Sequence, residues 1–316
     1  MRSAMKPRFL LLALALSLCG VVAAAQAPAA TPPLAAGQAG SAYVPNAACK
    51  TCHAEEFTQY QTSPHAKIPL SGVSVSSPAG GERAQPGCQS CHGPGKNHTE
   101  NPGDPSTIFN FRTVTPAAVI GRCLSCHNTS HEQVNFASSV HARNGLKCTD
   151  CHSIHHPETE QVLLKLPQPQ LCYSCHQARR ADFEMPSHHK VNEGMVQCTD
   201  CHNPHGTPLP NQLRASDAAD AICYTCHVDK RGPFVYEHEA VKVDGCLTCH
   251  NPHGSSNPHL LKVSNVNILC LQCHTASSFS GAPGTPSFHN QTAQYQSCLS
   301  CHTQIHGSNF SPVFFY

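Results

Sequence analysis

One short pattern dominates this chain. Cys-x-x-Cys-His occurs ten times, as Cys49/Cys52/His53, Cys88/Cys91/His92, Cys123/Cys126/His127, Cys148/Cys151/His152 and Cys172/Cys175/His176. It continues as Cys198/Cys201/His202, Cys223/Cys226/His227, Cys246/Cys249/His250, Cys270/Cys273/His274 and Cys298/Cys301/His302. Of the 21 cysteines only Cys19 lies outside it. Two thiols at this spacing can add to the two vinyl groups on one edge of a haem, and the adjoining histidine reaches the iron. A disulfide framework needs no histidine at a fixed offset, and neither does a zinc ribbon. With 24 histidines in 316 residues, ten in ten by chance is on the order of one in 10¹¹. The motifs therefore predict haem c, ten per chain, with the twenty cysteines as thioether anchors and the ten motif histidines as proximal ligands.

The motifs also set the architecture. Successive first cysteines are separated by 39, 35, 25, 24, 26, 25, 23, 24 and 28 residues. About 25 residues per motif accommodates one short helix and a loop. The longer early spacings carry Gly/Pro/Ser-rich inserts at 71–87 and 93–106, expected as surface loops. There are 26 prolines and 20 glycines, no tryptophan, and only 6% aromatics. Long helices and continuous sheets are disfavoured by that composition, and side chains alone cannot fill a core of this size. The expected fold class is a multihaem cytochrome c: mostly irregular coil with short α-helices, a haem-packed core and little or no β-sheet.

The N-terminus reads as an address. Arg2, Lys6 and Arg8 precede an apolar run from Phe9 to Ala24, and the small residues around Ala25 and Ala27 offer cleavage sites. Residues 1–27 are thus expected to be a signal peptide, and the Ala/Pro-rich 28–45 a flexible tether. The mature protein is therefore expected to be exported, and soluble or held by a partner.

A second axial ligand decides between a wire and a reaction centre. An iron with two histidines is saturated, whereas an open position binds substrate. Fourteen histidines lie outside the motifs, and ten of them are patterned. One precedes each even-numbered motif: His65, His141, His189, His238 and His289. Another follows each: His98, His155, His205, His253 and His306. These ten are the expected distal ligands, and the count leaves no vacancy. His155, His205 and His253 stand only three residues past a motif histidine, a reach of at most ~10 Å. They should therefore serve a neighbouring haem. His131, His156, His188 and His259 remain as surface or propionate-contacting side chains. Methionine ligation is nearly unavailable, since the mature chain has only Met185 and Met195.

Charge excludes other roles. Without the signal peptide, seventeen basic side chains face nineteen acidic ones, and the haem propionates bring the total to roughly −12. Neither nucleic acid nor an anionic lipid surface suits such a protein.

Several runs carry a family resemblance. Cys198-Thr-Asp-Cys-His-Asn-Pro-His-Gly206, Cys223-Tyr-Thr-Cys-His227 with Lys230-Arg-Gly-Pro233, and Cys246-Leu-Thr-Cys-His-Asn-Pro-His-Gly254 resemble the MtrA/DmsE-type periplasmic decahaem cytochromes. Ser297-Cys-Leu-Ser-Cys-His302 followed by Ile305-His-Gly-Ser-Asn309 does too, and the likeness spans residues 46–309. It implies an elongated protein built as two pentahaem halves, 46–176 and 177–316, located in the periplasm in association with the outer membrane. There it would be a non-enzymatic electron conduit across that membrane, sheathed by a β-barrel porin. Periplasmic and extracellular redox cytochromes would be its other partners, with no direct lipid anchor. Two alternatives stay open: a soluble periplasmic or extracellular carrier without a barrel, and a multihaem reductase. Against the latter, no motif replaces its histidine by lysine.

Overall fold

A computed structural model describes residues 42–67, 87–214, 219–274 and 297–315. The signal segment, the tether up to residue 41, insert 71–86, His289 and Tyr316 lie outside the described residues. Among those described there is no strand, only isolated bridges such as His202 to Leu213. Helices are short, the longest being Ala54–Thr62 and Pro116–Leu124 at nine residues each. The latter starts where Thr115 accepts from the Ala118 amide at 3.3 Å and Pro116 supplies a preset φ. The mostly irregular, short-helical fold expected from the composition is the one observed. One detail differs: the insert 93–106 is not all loop, because Lys96–Glu100 forms a helical turn that carries His98.

Each motif is itself a turn of helix. The motif histidine donates its backbone N–H to the first cysteine carbonyl, for example His152 to Cys148 at 2.9 Å and His250 to Cys246 at 3.0 Å. Residues at i, i+3 and i+4 share a helix face, so one turn presents both thiols and the imidazole together.

Motifs pack in consecutive pairs. Helix Asn46–Lys50 packs on Cys88–His92, Pro116–Leu124 on Cys148–Cys151, and Val266–Leu271 on Cys298–Ser300. Polar side chains fix two further junctions: Asp220 accepts from the Cys246 amide at 2.9 Å, and Asn267 from the Cys298 amide at 2.9 Å. The fourth and sixth motifs cap themselves instead, through Asp150 on the Lys147 amide (2.8 Å) and Asp200 on the Gln197 amide (2.7 Å). Such bonds satisfy amides that a helix start leaves without partners.

After an even-numbered motif the chain doubles back alongside it. Ser153 donates to Leu163 O and Lys165 to Cys151 O; Asn203 donates to Gln212 O and Arg214 to Cys201 O. Asn251 and Lys262 repeat this with Leu260 and Cys249. Each return limb contains a non-glycine residue in the left-handed region: Leu163 (φ 54°), Gln212 (56°), Leu260 (60°) and, after the tenth motif, Phe314 (60°). That conformation is costly for L-residues and persists only where surroundings impose it.

Apolar side chains make little of the interior. The buried hydrophobics among the described residues are Val119, Ile120, Phe136, Leu163, Phe183 and Val191. The half-buried leading thiols and the imidazoles of the even motifs take the remaining space.

Candidate functional site

The pairing of motifs brings their leading thiols together. Cys49 and Cys88, Cys123 and Cys148, Cys172 and Cys198, Cys223 and Cys246, and Cys270 and Cys298 each lie close enough for one thiol to shift the ionisation of the other. The groups carried by each odd motif and the even motif after it are therefore neighbours. Burial and the partner thiol push Cys49 up to about 11, whereas contact with Cys172 draws Cys198 down to about 7.

The second cysteines behave differently. Every odd motif exposes its second cysteine: Cys52, Cys126, Cys175, Cys226 and Cys273. Cys201 and Cys301 of the sixth and tenth motifs are exposed too, whereas Cys91, Cys151 and Cys249 are half-buried. The odd-motif histidines His53, His127, His176, His227 and His274 share that exposure, while the even-motif histidines are half-buried. Two physical reasons account for the difference. The second thiol stands about 4.5 Å further along the helical turn, beyond the junction that covers the first. In addition, among the described residues the chain doubles back over the even motifs, with Phe109 donating to His92 O playing that part at the second.

The histidines pair across a longer range. Among the described residues, nine motif histidines face nine of the histidines singled out above, with ring centroids 6.0–6.3 Å apart. After the even motifs, His98 faces His53 (6.3 Å), His155 faces His92 (6.3 Å) and His205 faces His152 (6.0 Å). His253 faces His202 at 6.0 Å and His306 faces His250 at 6.2 Å. Those preceding even motifs look the other way along the chain. His65 faces His127 at 6.0 Å, His141 faces His176 at 6.1 Å, His189 faces His227 at 6.2 Å, and His238 faces His274 at 6.2 Å. The second, fourth, sixth and eighth motifs are thus each flanked by one histidine reaching back and one reaching forward. His302 has its described neighbours in Val313 and Phe315.

This spacing tests whether a metal fits. Two imidazole rings sharing one metal, with metal–nitrogen bonds of about 2 Å, stand about 6 Å apart between centroids. The observed separations meet that value. They are too long for direct stacking and too short to leave a free channel. Burial lowers the basicity of His205 and His306 to about 4, so both rings are neutral and ligand-competent at pH 7. The residues present fit a c-type haem: two thiols at one edge and an imidazole on each face.

The outer nitrogens are organised as well. His152 Nδ1 bonds Val162 O (2.8 Å), His202 Nδ1 bonds Asn211 O (2.8 Å), His250 Nδ1 bonds His259 O (2.8 Å) and His302 Nδ1 bonds Val313 O (2.6 Å). In all four cases a left-handed residue immediately follows the acceptor, and Asn211 and His259 are themselves left-handed (φ 55° each). The strained turn aims that carbonyl at the ring, fixing its tautomer and orientation. His92 uses Phe109 O at 3.0 Å. Among the partner rings, His141 bonds Pro204 O (2.9 Å) and His189 bonds Pro252 O (2.6 Å). Nothing in the sequence pattern marked these carbonyls; positive φ is visible only in three dimensions.

Glycines after the partner histidines permit close approach. A Cβ on Gly254 would stand 1.8 Å from Asp182 O, and one on Gly206 2.9 Å from the Ser139 Cβ. The His-Gly dipeptides are therefore steric requirements. Of the four unpatterned histidines, His131, His156 and His259 are exposed, while His188 is held by Met185 O and Glu193.

Comparison with known proteins agrees with this layout. The family model "Doubled CXXCH motif" matches residues 141–181, 188–232 and 238–279, and "Cytochrome c554 and c-prime" matches 48–107. The multiheme cytochrome MtrA of Shewanella baltica (strain OS185) is 35% identical over 230 residues, covering 70% of this chain and 68% of that protein. The chain belongs to the MtrA-type multihaem cytochromes. An MtrA-type cytochrome is an electron-transfer protein that binds c-type haems. Each doubled-motif unit of this one opens at or beside a forward-reaching histidine (His141, His189, His238) and closes after the odd motif that histidine faces. The thiol contacts join each unit to the next, so the two kinds of pairing alternate along the chain.

Proposed function

We propose that this protein holds ten haems c, each with two histidine ligands, and passes electrons along them between periplasm and cell exterior inside an outer-membrane barrel. The nine imidazole pairs at 6.0–6.3 Å carry the ligation reading. Motif histidines 53, 92, 127, 152, 176, 202, 227, 250 and 274 take as partners His98, His155, His65, His205, His141, His253, His189, His306 and His238. His302 is left with His289. All twenty motif cysteines serve as anchors. Each bound haem supplies reversible one-electron chemistry and, being six-coordinate, no substrate position. The residues hold the rings rigid, and the contacts between consecutive motifs keep successive groups adjacent. Reductase activity is disfavoured by this count.

The barrel reading rests on the MtrA relationship, on the export signal and on polarity. No helix among the described residues is long and apolar enough to cross a membrane. An irregular, charged backbone cannot face roughly 30 Å of hydrocarbon, and a closed barrel provides the sheath. Residues 46–176 and 177–316 form the two pentahaem halves of the conduit. Liposomes loaded with a redox dye test this reading. Holoprotein with its cognate barrel should carry electrons inward and holoprotein alone should not; equal transfer in both leaves a soluble carrier.

A further inference from the structure

The second motif holds its histidine by a different device from the later even motifs. At the fourth, sixth, eighth and tenth, a left-handed residue follows the carbonyl that binds the motif histidine. At the second, Phe109 O takes that place, 3.0 Å from His92 Nδ1, and Asn110 after it is not left-handed. Phe109 also donates its backbone N–H to His92 O at 3.0 Å, so residues 109–111 lie across the histidine as a strap. The Phe111 ring stands edge-on to His92, with centroids 5.2 Å apart and planes at 80°. Phe109 stands edge-on to Phe111 in turn, at 4.9 Å and 72°. With no strained turn to aim the carbonyl, the strap needs another hold.

Two cations supply it, and both come from one junction. Arg122 places its guanidinium 4.6 Å from the centre of the Phe109 ring, within cation–π range. Lys147 Nζ donates to Phe111 O at 2.8 Å. Arg122 directly precedes Cys123 and Lys147 directly precedes Cys148. The helices Pro116–Leu124 and Cys148–Cys151 that carry or follow them pack on one another. Neither backbone is loose: Val119 and Ile120 are buried, and Asp150 caps the Lys147 amide at 2.8 Å. Phe109, Phe111, Arg122 and Lys147 are all half-buried. The third and fourth motifs therefore grip the strap that crosses the second. At the sixth site a cation meets a ring directly, where Arg179 Nη1 stands 3.3 Å from His253 Nδ1, held by Asp182 at 2.7 Å. Arg122 and Lys147 act at one remove.

We propose that Phe111, Arg122 and Lys147 are positioning residues for His92 as an iron ligand. The inference rests on the His92/His155 ligand pair assigned above. An imidazole bound to a metal through one nitrogen can still turn about that bond, and its plane is fixed by what its other nitrogen and its edges touch. Phe109 O fixes the nitrogen, the Phe111 ring blocks rotation, and the two cations keep the strap from sliding. The 31° between the His92 and His155 planes is thus set from the third and fourth motifs. The same grip fastens the first pair of motifs to the second pair.

The experiment is EPR of the oxidised ten-haem holoprotein, with the His92/His155 signal assigned as the one lost to high spin in His155→Ala. Phe111→Leu, Arg122→Gln and Lys147→Met should each broaden that signal and move its largest g value, with the other signals at their parent positions. Arg122→Lys keeps a cation over the Phe109 ring and should stay nearer the parent than Arg122→Gln. Arg112→Gln, which removes an exposed cation from the segment just past the strap, should move nothing. An unmoved His92/His155 signal in Phe111→Leu and Arg122→Gln, or a shift no larger than in Arg112→Gln, overturns the proposal. So does a shift spread over all sites, which would mark a general loss of packing. If the site stays low-spin through such a result, the ligation stands and the positioning role alone fails. High-spin iron at this site in the unsubstituted protein, or no new high-spin iron in His155→Ala, would overturn the ligand pair itself.

Discussion

The ring of His205 lies 6.0 Å from that of His152 and only 16° from parallel, although His205 directly follows the motif that ends at His202. His202 in turn faces His253 at 6.0 Å. The fourth, sixth, eighth and tenth motifs each lend a histidine to the even motif before, and the second lends His98 to the first, which stitches the modules into one chain of sites. Substituting His205 by alanine should disturb the haem of Cys148/Cys151 and spare that of Cys198/Cys201. Thioether attachment does not involve the far side, so the variant should keep ten haems by pyridine haemochrome assay. EPR or resonance Raman should show one new high-spin iron, and loss of the partner at His202 would contradict the pairing.

Ring orientation sorts the pairs into two classes. His65/His127, His141/His176 and His189/His227 cross at 67°, 72° and 64°. The other six described pairs lie between 15° and 36°. Crossed imidazoles leave the iron orbitals nearly degenerate, and parallel ones split them. The oxidised protein should therefore show a minority of strongly anisotropic, large-g low-spin signals over a rhombic majority, near one to two. A uniform rhombic spectrum would contradict the crossed set.

Gly254 offers a steric test. Its φ is not left-handed, so the constraint is the Asp182 carbonyl 1.8 Å from a would-be Cβ. Gly254→Ala must push the Gln177–Asp182 turn away, at a cost of about 1–3 kcal/mol. Thermal melts should show a lower Tm, and the EPR signal of the His202/His253 site should broaden. An unchanged melt would mean that the two segments separate freely.

Arg214 and Glu132 form a two-pronged ion pair at 3.0 and 2.9 Å, joining the segment after the third motif to the return limb of the sixth. The guanidinium hydrogen bonds hold the Glu132 carboxyl below the usual carboxylate range. A lowered folded value means that this pair stabilises above the ordinary carboxylate pKa and that the contribution fades as pH falls through the lowered one. Both partners are partly exposed, so Arg214→Gln should cost only about 0.5–1 kcal/mol at neutral pH. The difference from the parent should shrink in high salt and vanish in acid, as urea unfolding at several pH values would show.

The tail joins the last site. Phe315 lies 4.9 Å from the His302 ring and Phe314 5.3 Å from His238, while Phe310 is 87% exposed. Phe314 also occupies the left-handed position that aims Val313 O at His302. Phe314→Pro, which forbids that φ, should weaken the tenth site selectively, whereas Phe310→Ser should leave all spectra unchanged.

Much of this protein was legible in its sequence because its chemistry is local. A cysteine pair and a histidine at i, i+3 and i+4 need only one helical turn to share a face, so composition and spacing alone specified the motif count, the cofactor and the lack of regular structure. His98, His155, His205, His253 and His306 were visible through their fixed offset after even motifs. Which motif histidine each of them faces was not, because that depends on chain segments packing across tens of residues. The motif pattern also treats Cys172 and Cys175 as equals, and only packing half-buries the first beside Cys198 while the second stays more open. Tertiary structure likewise decided that Val162, Asn211, His259 and Val313 turn their carbonyls onto motif histidines, since the φ that aims them carries no residue signature. It also decided that Arg179 lies over His253 rather than over solvent: packing at Gly254 brings the two together, and sequence order alone holds them far apart.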